Sequence, residues 1–243
     1  MSTSPEGRPS ERRHSVSTHV VWTALQQVVG QDARIVDIGG GTGGFAVPLA
    51  EQGHRVQVVD PSPDALAALA RRADERGVTD RVSARQGDLT DLGDLADSQD
   101  ADLVLCHGVL EVVDDPAAAL RTLAGVLRPG GTLSLLVAQR HAAVVARAMA
   151  GHFAAARDLL DSAAPEGRAG RRYTADELTT LLGETGFTVG SVHAVRVFAD
   201  LVPGSLLDLE PGATQSLLDL EAEVSTRPEF LPLATQVHVL ATR

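Results

Sequence analysis

The sequence contains no lysine; all 21 of its basic residues are arginine, and 32 aspartates and glutamates leave a formal net charge of −11. Such a balance opposes indiscriminate binding to nucleic acid or to anionic membrane, because long-range repulsion acts on both, while a local arginine patch stays compatible with it. The absence of lysine reads as compositional bias rather than as a functional signal. Cysteine is nearly absent too. The single thiol, Cys106, excludes an internal disulfide framework and fits a reducing compartment. It lies in an apolar run and reads as a small buried side chain. No uninterrupted apolar run reaches the ~20 residues that span a bilayer. The Ser-, Arg- and Glu-rich start lacks the apolar segment of a secretory leader. No internal repeats emerge. The expectation is a cytoplasmic chain whose 243 residues, 44% hydrophobic and 22% charged, make one domain with a full core.

What the sequence does have is concentrated in Ile35-Val36-Asp37-Ile38-Gly39-Gly40-Gly41-Thr42-Gly43-Gly44. A β-branched apolar run ends in an aspartate, and a glycine cluster then opens a helix near Phe45. Glycine lacks a Cβ and takes positive φ, so its backbone can approach a ligand closely. The amides of the following helix start point outward at the same place. Gly39, Gly41 and Gly44 fit the dinucleotide spacing G-x-G-x-x-G. Asp37, Gly39, Gly41 and Gly43 fit the D-x-G-x-G-x-G of S-adenosylmethionine (SAM) enzymes. The aspartate favours the second, since a carboxylate at the strand end attracts an ammonium group and repels a pyrophosphate.

Around this turn the chain alternates regularly. Residues 1–15 are polar and expected to lack fixed structure. A helix over His19–Val29 carries an apolar stripe and stops at Gly30. Strands are expected at Arg34–Ile38, Val56–Val59, Arg81–Gln86, Leu103–Cys106 and Thr132–Val137, with helices at about Gly44–Gln52, Pro63–Arg76 and Asp115–Leu127. Strand–helix alternation of this kind requires a parallel, doubly wound α/β sheet with right-handed crossovers. Asp60-Pro61 ends the second strand, where a ribose's paired hydroxyls lie in a Rossmann-like crevice; Asp60 also suits a cap for the helix after it. Gly87-Asp88-Leu89 offers a carboxylate and an apolar side chain for an adenine. Cys106-His107-Gly108 ends the short apolar strand, and strand ends carry the chemistry of such sheets.

Beyond Val137 the pattern loosens. A helix is expected over about His141–Leu160 and a polar loop over Ser162–Arg172. Thr174–Glu184 reads as a helix capped by Thr174, Phe187–Val197 as a strand, and Thr214–Val224 as a Leu-rich helix. Thr235–Ala241 alternates as an edge or antiparallel strand does. The two looser stretches, about 140–172 and 201–230, read as insertions in a single domain spanning 16–243.

Taken together, Asp37–Gly43, Asp60, Gly87-Asp88-Leu89 and Leu127-Arg128-Pro129-Gly130-Gly131 resemble the class I SAM-dependent methyltransferases. The resemblance implies SAM as cofactor, S-adenosylhomocysteine as product, and a Rossmann-like seven-stranded sheet whose last strand runs antiparallel between the fifth and sixth. A narrower likeness, carried by Cys106–Glu111, Asp115-Pro116, Met149–Phe153 and Val195-Arg196-Val197-Phe198-Ala199-Asp200, is to the tRNA 5-carboxymethoxyuridine methyltransferases. It implies a tRNA partner, His107 beside the cofactor, and Arg196 against a substrate carboxylate.

Methyl transfer leaves the difficult chemistry to the cofactor and asks the protein for orientation. A carboxylate acceptor is already ionised and needs a cation such as Arg196 to hold it. A hydroxyl acceptor needs a base instead, with His107 and His141 as candidates. Three classes stay open: an enzyme modifying tRNA, with Arg168, Arg171, Arg172 and the N-terminal arginines at the active-site mouth; a small-molecule O- or N-methyltransferase, with His141–Arg172 as a lid; and a SAM-binding module without transferase activity. No metal site is expected.

Overall fold

The computed structural model describes residues 9–89, 91–92, 100–160, 170–207 and 212–243. Arg168 and most of the expected polar loop, residues 162–169, lie outside them. Seven strands make one sheet in the order β3-β2-β1-β4-β5-β7-β6. The strands are β1 Arg34–Ile38, β2 Arg55–Asp60, β3 Val82–Gln86, β4 Ala101–His107, β5 Leu127–Ala138, β6 Thr188–Val195 and β7 Gln236–Thr242. β1 pairs in parallel with β2 and β4, and β4 with β5. β7 runs antiparallel to both β5 and β6. This is the doubly wound α/β sheet with an inserted antiparallel last strand that the alternation and the resemblance imply.

Helices cover both faces, as the apolar character of the central strands requires. On one face, α1 (Pro9–Val28), α2 (Ala46–Glu51) and α3 (Pro63–Glu75) bury Val21, Leu25, Val47 and Leu69 against Ile35, Leu103 and Leu105. On the other, α4 (Pro116–Val126) and α7 (Ala175–Glu184) bury Leu120, Leu123, Leu178 and Leu182 against Val104, Leu135 and Val239. Between those two lie α5 (Arg140–Met149) and α6 (Phe153–Asp158), and after β6 come α8 (Gly204–Leu207) and α9 (Ala213–Val224).

Two expectations need correcting. The first helix starts at Pro9, inside the stretch expected to lack structure. Proline suits the first helical turn, and no glycine or proline interrupts the chain from there to Val29. The second correction concerns the helix over His141–Leu160, which is two helices. α5 stops at Ala150, and Gly151 takes φ 79°. A left-handed residue cannot continue an α-helix, so α6 starts afresh.

Local chemistry sets the other ends. Ser62 accepts from the Ala65 amide and Asp115 from that of Ala118, each ahead of a proline at the start of its helix. Asp60 is therefore not the cap of α3. At α7, Thr174 and Glu177 form a reciprocal capping box, and Glu177 also pairs with Arg140, which is only 4% exposed. Thr174→Ala is expected to cost about 1 kcal/mol, the usual worth of such a cap. Urea unfolding would register it as a lower midpoint with unchanged slope.

Candidate active site

β1 delivers Asp37 to the carboxyl edge of the sheet, directly under the glycine turn. Gly39, Gly41 and Gly43 adopt φ of 68°, 54° and 79°, which other residues enter only with strain. The Gly39 amide donates to the Val59 carbonyl at 2.8 Å and that of Gly43 to the Gly40 carbonyl at 2.9 Å. A methyl group placed on Gly40 would lie 2.5 Å from Asp37 Oδ2. Asp37 itself is 3% exposed, and its Oδ2 has no hydrogen-bond partner. Burial, and secondarily the charge of Asp60, push its pKa up to about 7. On the adjacent strand Cys106 pairs with Ile38. Its thiol is buried, and desolvation, then Glu111 and Asp37, raise its pKa further. It stays a protonated thiol.

Beside the turn lies a cavity of about 660 Å³, a volume that suits a small organic ligand. Gly39, Asp60, Pro61, Gly87, Asp88, Leu89, His107 and Gly108 line it, so these expected site residues come together although they leave from four strand ends. Asp37, Gly40, Gly41, Thr42, Gly43 and Cys106 belong to the same turn and strands but do not line it. Asp60 ties the parts together. Its Oδ2 accepts from the Gly41 amide and its Oδ1 from the Ser62 amide, both at 2.9 Å. Each carboxylate oxygen keeps a further lone pair for a ligand. The far wall, Val112–Asp115 with Ala118, Ala119 and Thr122 from α4, escaped the sequence reading. Its one sequence signal is the mostly apolar stretch Val109-Leu110-Glu111-Val112-Val113 between two elements.

His107 ends β4 and takes part in a polar chain across the sheet. Its Nε2 lies 2.9 Å from Ser134 Oγ, which is 2.8 Å from His238 Nε2. His193 stacks on His238 with ring centroids 5.3 Å apart. Phe45, itself stacked on Trp22, meets the His107 ring edge-on. Burial pulls the His107 pKa down to about 3 and also lowers those of His193 and His238. The rings are neutral imidazoles. His141, the other candidate base, is exposed on α5 and does not line the cavity.

Arg196 is separate from that cavity. It follows β6, which lies two strands beyond β5 and runs parallel to it, so the side chain leaves from the same carboxyl edge. Its φ is 61°, and its Nε and Nη2 contact Asp200 Oδ1 at 3.2 and 2.5 Å. Between the cavity and Arg196, the chain after the polar loop straps back over the edge. The Arg171 amide donates to the Glu111 carbonyl at 2.7 Å and the Tyr173 hydroxyl to the Leu110 carbonyl at 3.0 Å. The Glu111 carboxylate accepts from the Ala138 amide at 2.8 Å. Burial, the largest cause, raises the Glu111 pKa against the opposing charge of Arg172. Among the described residues, no group of three or more His, Cys, Asp or Glu is arranged to hold a metal ion, and no helix is long and apolar enough to cross a membrane.

Comparison with known proteins bears on this arrangement. A family model described as a methyltransferase domain matches residues 13–192. The tRNA 5-carboxymethoxyuridine methyltransferase of Escherichia coli (strain K12) is 30% identical over 234 residues, covering 92% of this chain and 87% of that protein. The ubiquinone biosynthesis O-methyltransferase of Xanthomonas axonopodis pv. citri (strain 306) is 36% identical over 120 residues, covering 49% of this chain and 48% of its own. Among solved structures, an S-adenosylmethionine-dependent methyltransferase from Mesorhizobium loti shares the fold with a TM-score of 0.60 at 18% identity, over 92% of this chain and 98% of that one.

The contact between Gly40 and Asp37 generates a direct test. Gly40→Ala needs no forbidden φ, so its effect comes from the added methyl meeting the Asp37 carboxylate and, at 3.0 Å, Val58 Cγ1. It is expected to lower stability by about 1–3 kcal/mol, the range for overpacking a close-packed site, as read by thermal or urea unfolding.

Proposed function

Because the chain belongs to the methyltransferase-domain family and is a SAM-dependent methyltransferase, we propose that its acceptor is the carboxylate of a modified wobble uridine in tRNA. The observation that carries this reading is the extent of the likeness. Similarity to the ubiquinone O-methyltransferase spans 120 residues, whereas similarity to the tRNA enzyme runs over 234. A match of that length takes in the acceptor half of the fold as well as the cofactor half. Work on tRNA also fits a cytoplasmic chain.

In this reading the residues divide the task. The Asp37 carboxylate, with its unpartnered oxygen under the glycine turn, receives the ammonium group of SAM. Asp60 takes the ribose hydroxyls, Asp88 the adenine amino group and Leu89 the ring face, while the glycine backbone admits the ligand closely. When bound, SAM supplies a methyl group already activated on a sulfonium. The chain then holds the acceptor in line, which can contribute much of the acceleration. Arg196 binds the acceptor carboxylate, and no general base is required. His107, neutral at physiological pH, packs beside the cofactor. Arg171 and Arg172, on the strap over the carboxyl edge, supply local positive charge for RNA phosphate in an otherwise acidic protein.

Two experiments test this. Methyl transfer from radiolabelled SAM should label bulk tRNA, and mild alkali should remove the label, as it does from an ester. Alkali-stable label would retain RNA but exclude the carboxylate, and label in small metabolites alone would overturn the tRNA reading. The second experiment uses the raised pKa of Asp37. The carboxyl group is neutral below about pH 7 and must lose its proton to pair with an ammonium. SAM affinity should therefore fall by up to about tenfold per unit as pH drops below 7, and level off above it. Calorimetry should show proton release on binding near pH 6, and Asp37→Asn should bind weakly with this pH dependence abolished.

A further inference from the structure

The turn that carries Arg196 is held by a residue far from it in sequence. Glu221 on α9 is 0% exposed. Its Oε2 accepts from the Val197 amide at 3.0 Å, and its Oε1 accepts from the Phe198 and Ala199 amides, both at 2.8 Å. Three consecutive amides converging on one carboxylate form an anion nest, and a buried carboxylate without such partners would be strongly disfavoured. The clasp begins at the residue immediately after Arg196. On its other side, the Arg196 carbonyl accepts from the Thr235 amide at 3.3 Å, and the Thr235 carbonyl accepts from the Gln139 amide at 3.0 Å. Arg196 is thus fixed between β5, β7 and the clasped turn. Its φ of 61° is a strained conformation for a residue with a long side chain, and it persists only where its surroundings hold it.

The guanidinium is fixed as well. Asp200 lies in the same clasped turn and engages the Nε and Nη2 side with a single oxygen. That contact leaves the end-on edge, Nη1 with the second hydrogen of Nη2, without a carboxylate partner among the described residues. A planar guanidinium can bind a second carboxylate bidentately through that edge. We propose that Glu221 is a positioning residue for Arg196: by clasping amides 197–199 it holds the turn that aims the free guanidinium edge at the acceptor carboxylate. The assignment rests on the acceptor reading above and adds the residue that makes Arg196 selective for that group.

Kinetics on tRNA from cells lacking this methyltransferase would test it. Glu221→Gln keeps the side chain's size but presents an N–H to a backbone N–H. KM for tRNA should rise by about tenfold or more with kcat within about twofold, the pattern of lost uniform binding. Affinity for S-adenosylhomocysteine should stay within about twofold, and hydrogen exchange at amides 197–199 should accelerate. Arg196→Lys should raise KM on its own. The double variant should be no worse than Arg196→Lys alone, since both act through one guanidinium. Glu221→Asp keeps the charge but is one methylene short of spanning three amides. It should show a smaller change in the same direction, and it carries the test if the glutamine variant does not fold. Losses that multiply in the double variant, or cofactor affinity falling in step with acceptor affinity, would make Glu221 a general structural residue and overturn the proposal. A loss in Arg196→Lys without one in Glu221→Gln and Glu221→Asp would overturn it while leaving the carboxylate anchor standing. An unchanged KM in Arg196→Lys would remove the anchor and this proposal together.

Discussion

A carboxylate under a glycine turn is the constraint on which the site depends. Asp37 gives up water on nearly all sides and keeps one oxygen unpartnered, an arrangement that disfavours its charged form. Nothing larger than glycine fits at position 40 above it. The turn is consequently tight, and the carbonyl of Val59 at the end of β2 reaches in to pair with Gly39. Asp60, the next residue, then bonds Gly41. One buried acid thereby sets where the ends of β1 and β2 meet, and so where the wall of the cavity runs.

A second buried acid organises the other half of the edge by a different device. Glu221 has its hydrogen-bonding capacity met by protein amides, whereas Asp37 Oδ2 has no partner. The first arrangement stabilises a turn, and the second leaves an acceptor for a cation. One sheet edge thus holds a buried carboxylate that is fully partnered and another that is not.

How much of this could be read beforehand follows from sequence distance. The glycine turn, Asp60 and Gly87-Asp88-Leu89 are local signals: each sits where a strand stops, and the doubly wound alternation brings such ends together. The contacts that escaped are long-range. Ser134 and His238 are 104 positions apart, and no spacing rule links a serine on one strand to a histidine on another. Glu221 did leave a trace, since it occupies the same apolar stripe of α9 as Leu217, Leu218 and Val224. An acid on a stripe due for burial announces a partner without saying which one. Asp60 was read as a possible cap because Pro61-Ser62-Pro63 follows it; Ser62 holds that role because its shorter side chain sits at the first turn. The break at Gly151 is hidden by the alanine-rich runs that flank it, Ala142–Ala150 and Ala154–Ala156, since alanine is the strongest helix former.

The place of β7 in the sheet carries a further consequence for assembly. β1, β2 and β3 pair in chain order and β4 pairs with β5, with one longer connection bringing β4 back beside β1, so this half forms largely from contacts of modest sequence separation. β7 enters between β5 and β6 and closes loops back to Thr132 and Thr188. Until it does, β5 presents a bare hydrogen-bonding edge, the kind of surface that invites pairing with another chain. Long-range pairings of this sort form late because loop-closure entropy must be met first. Arg196 takes its final position only with β7 in place, since its carbonyl is held by Thr235. A folding chain would therefore complete the turn between β1 and β2 before it fixes Arg196, with the exposed flank of β5 as the interval's aggregation risk.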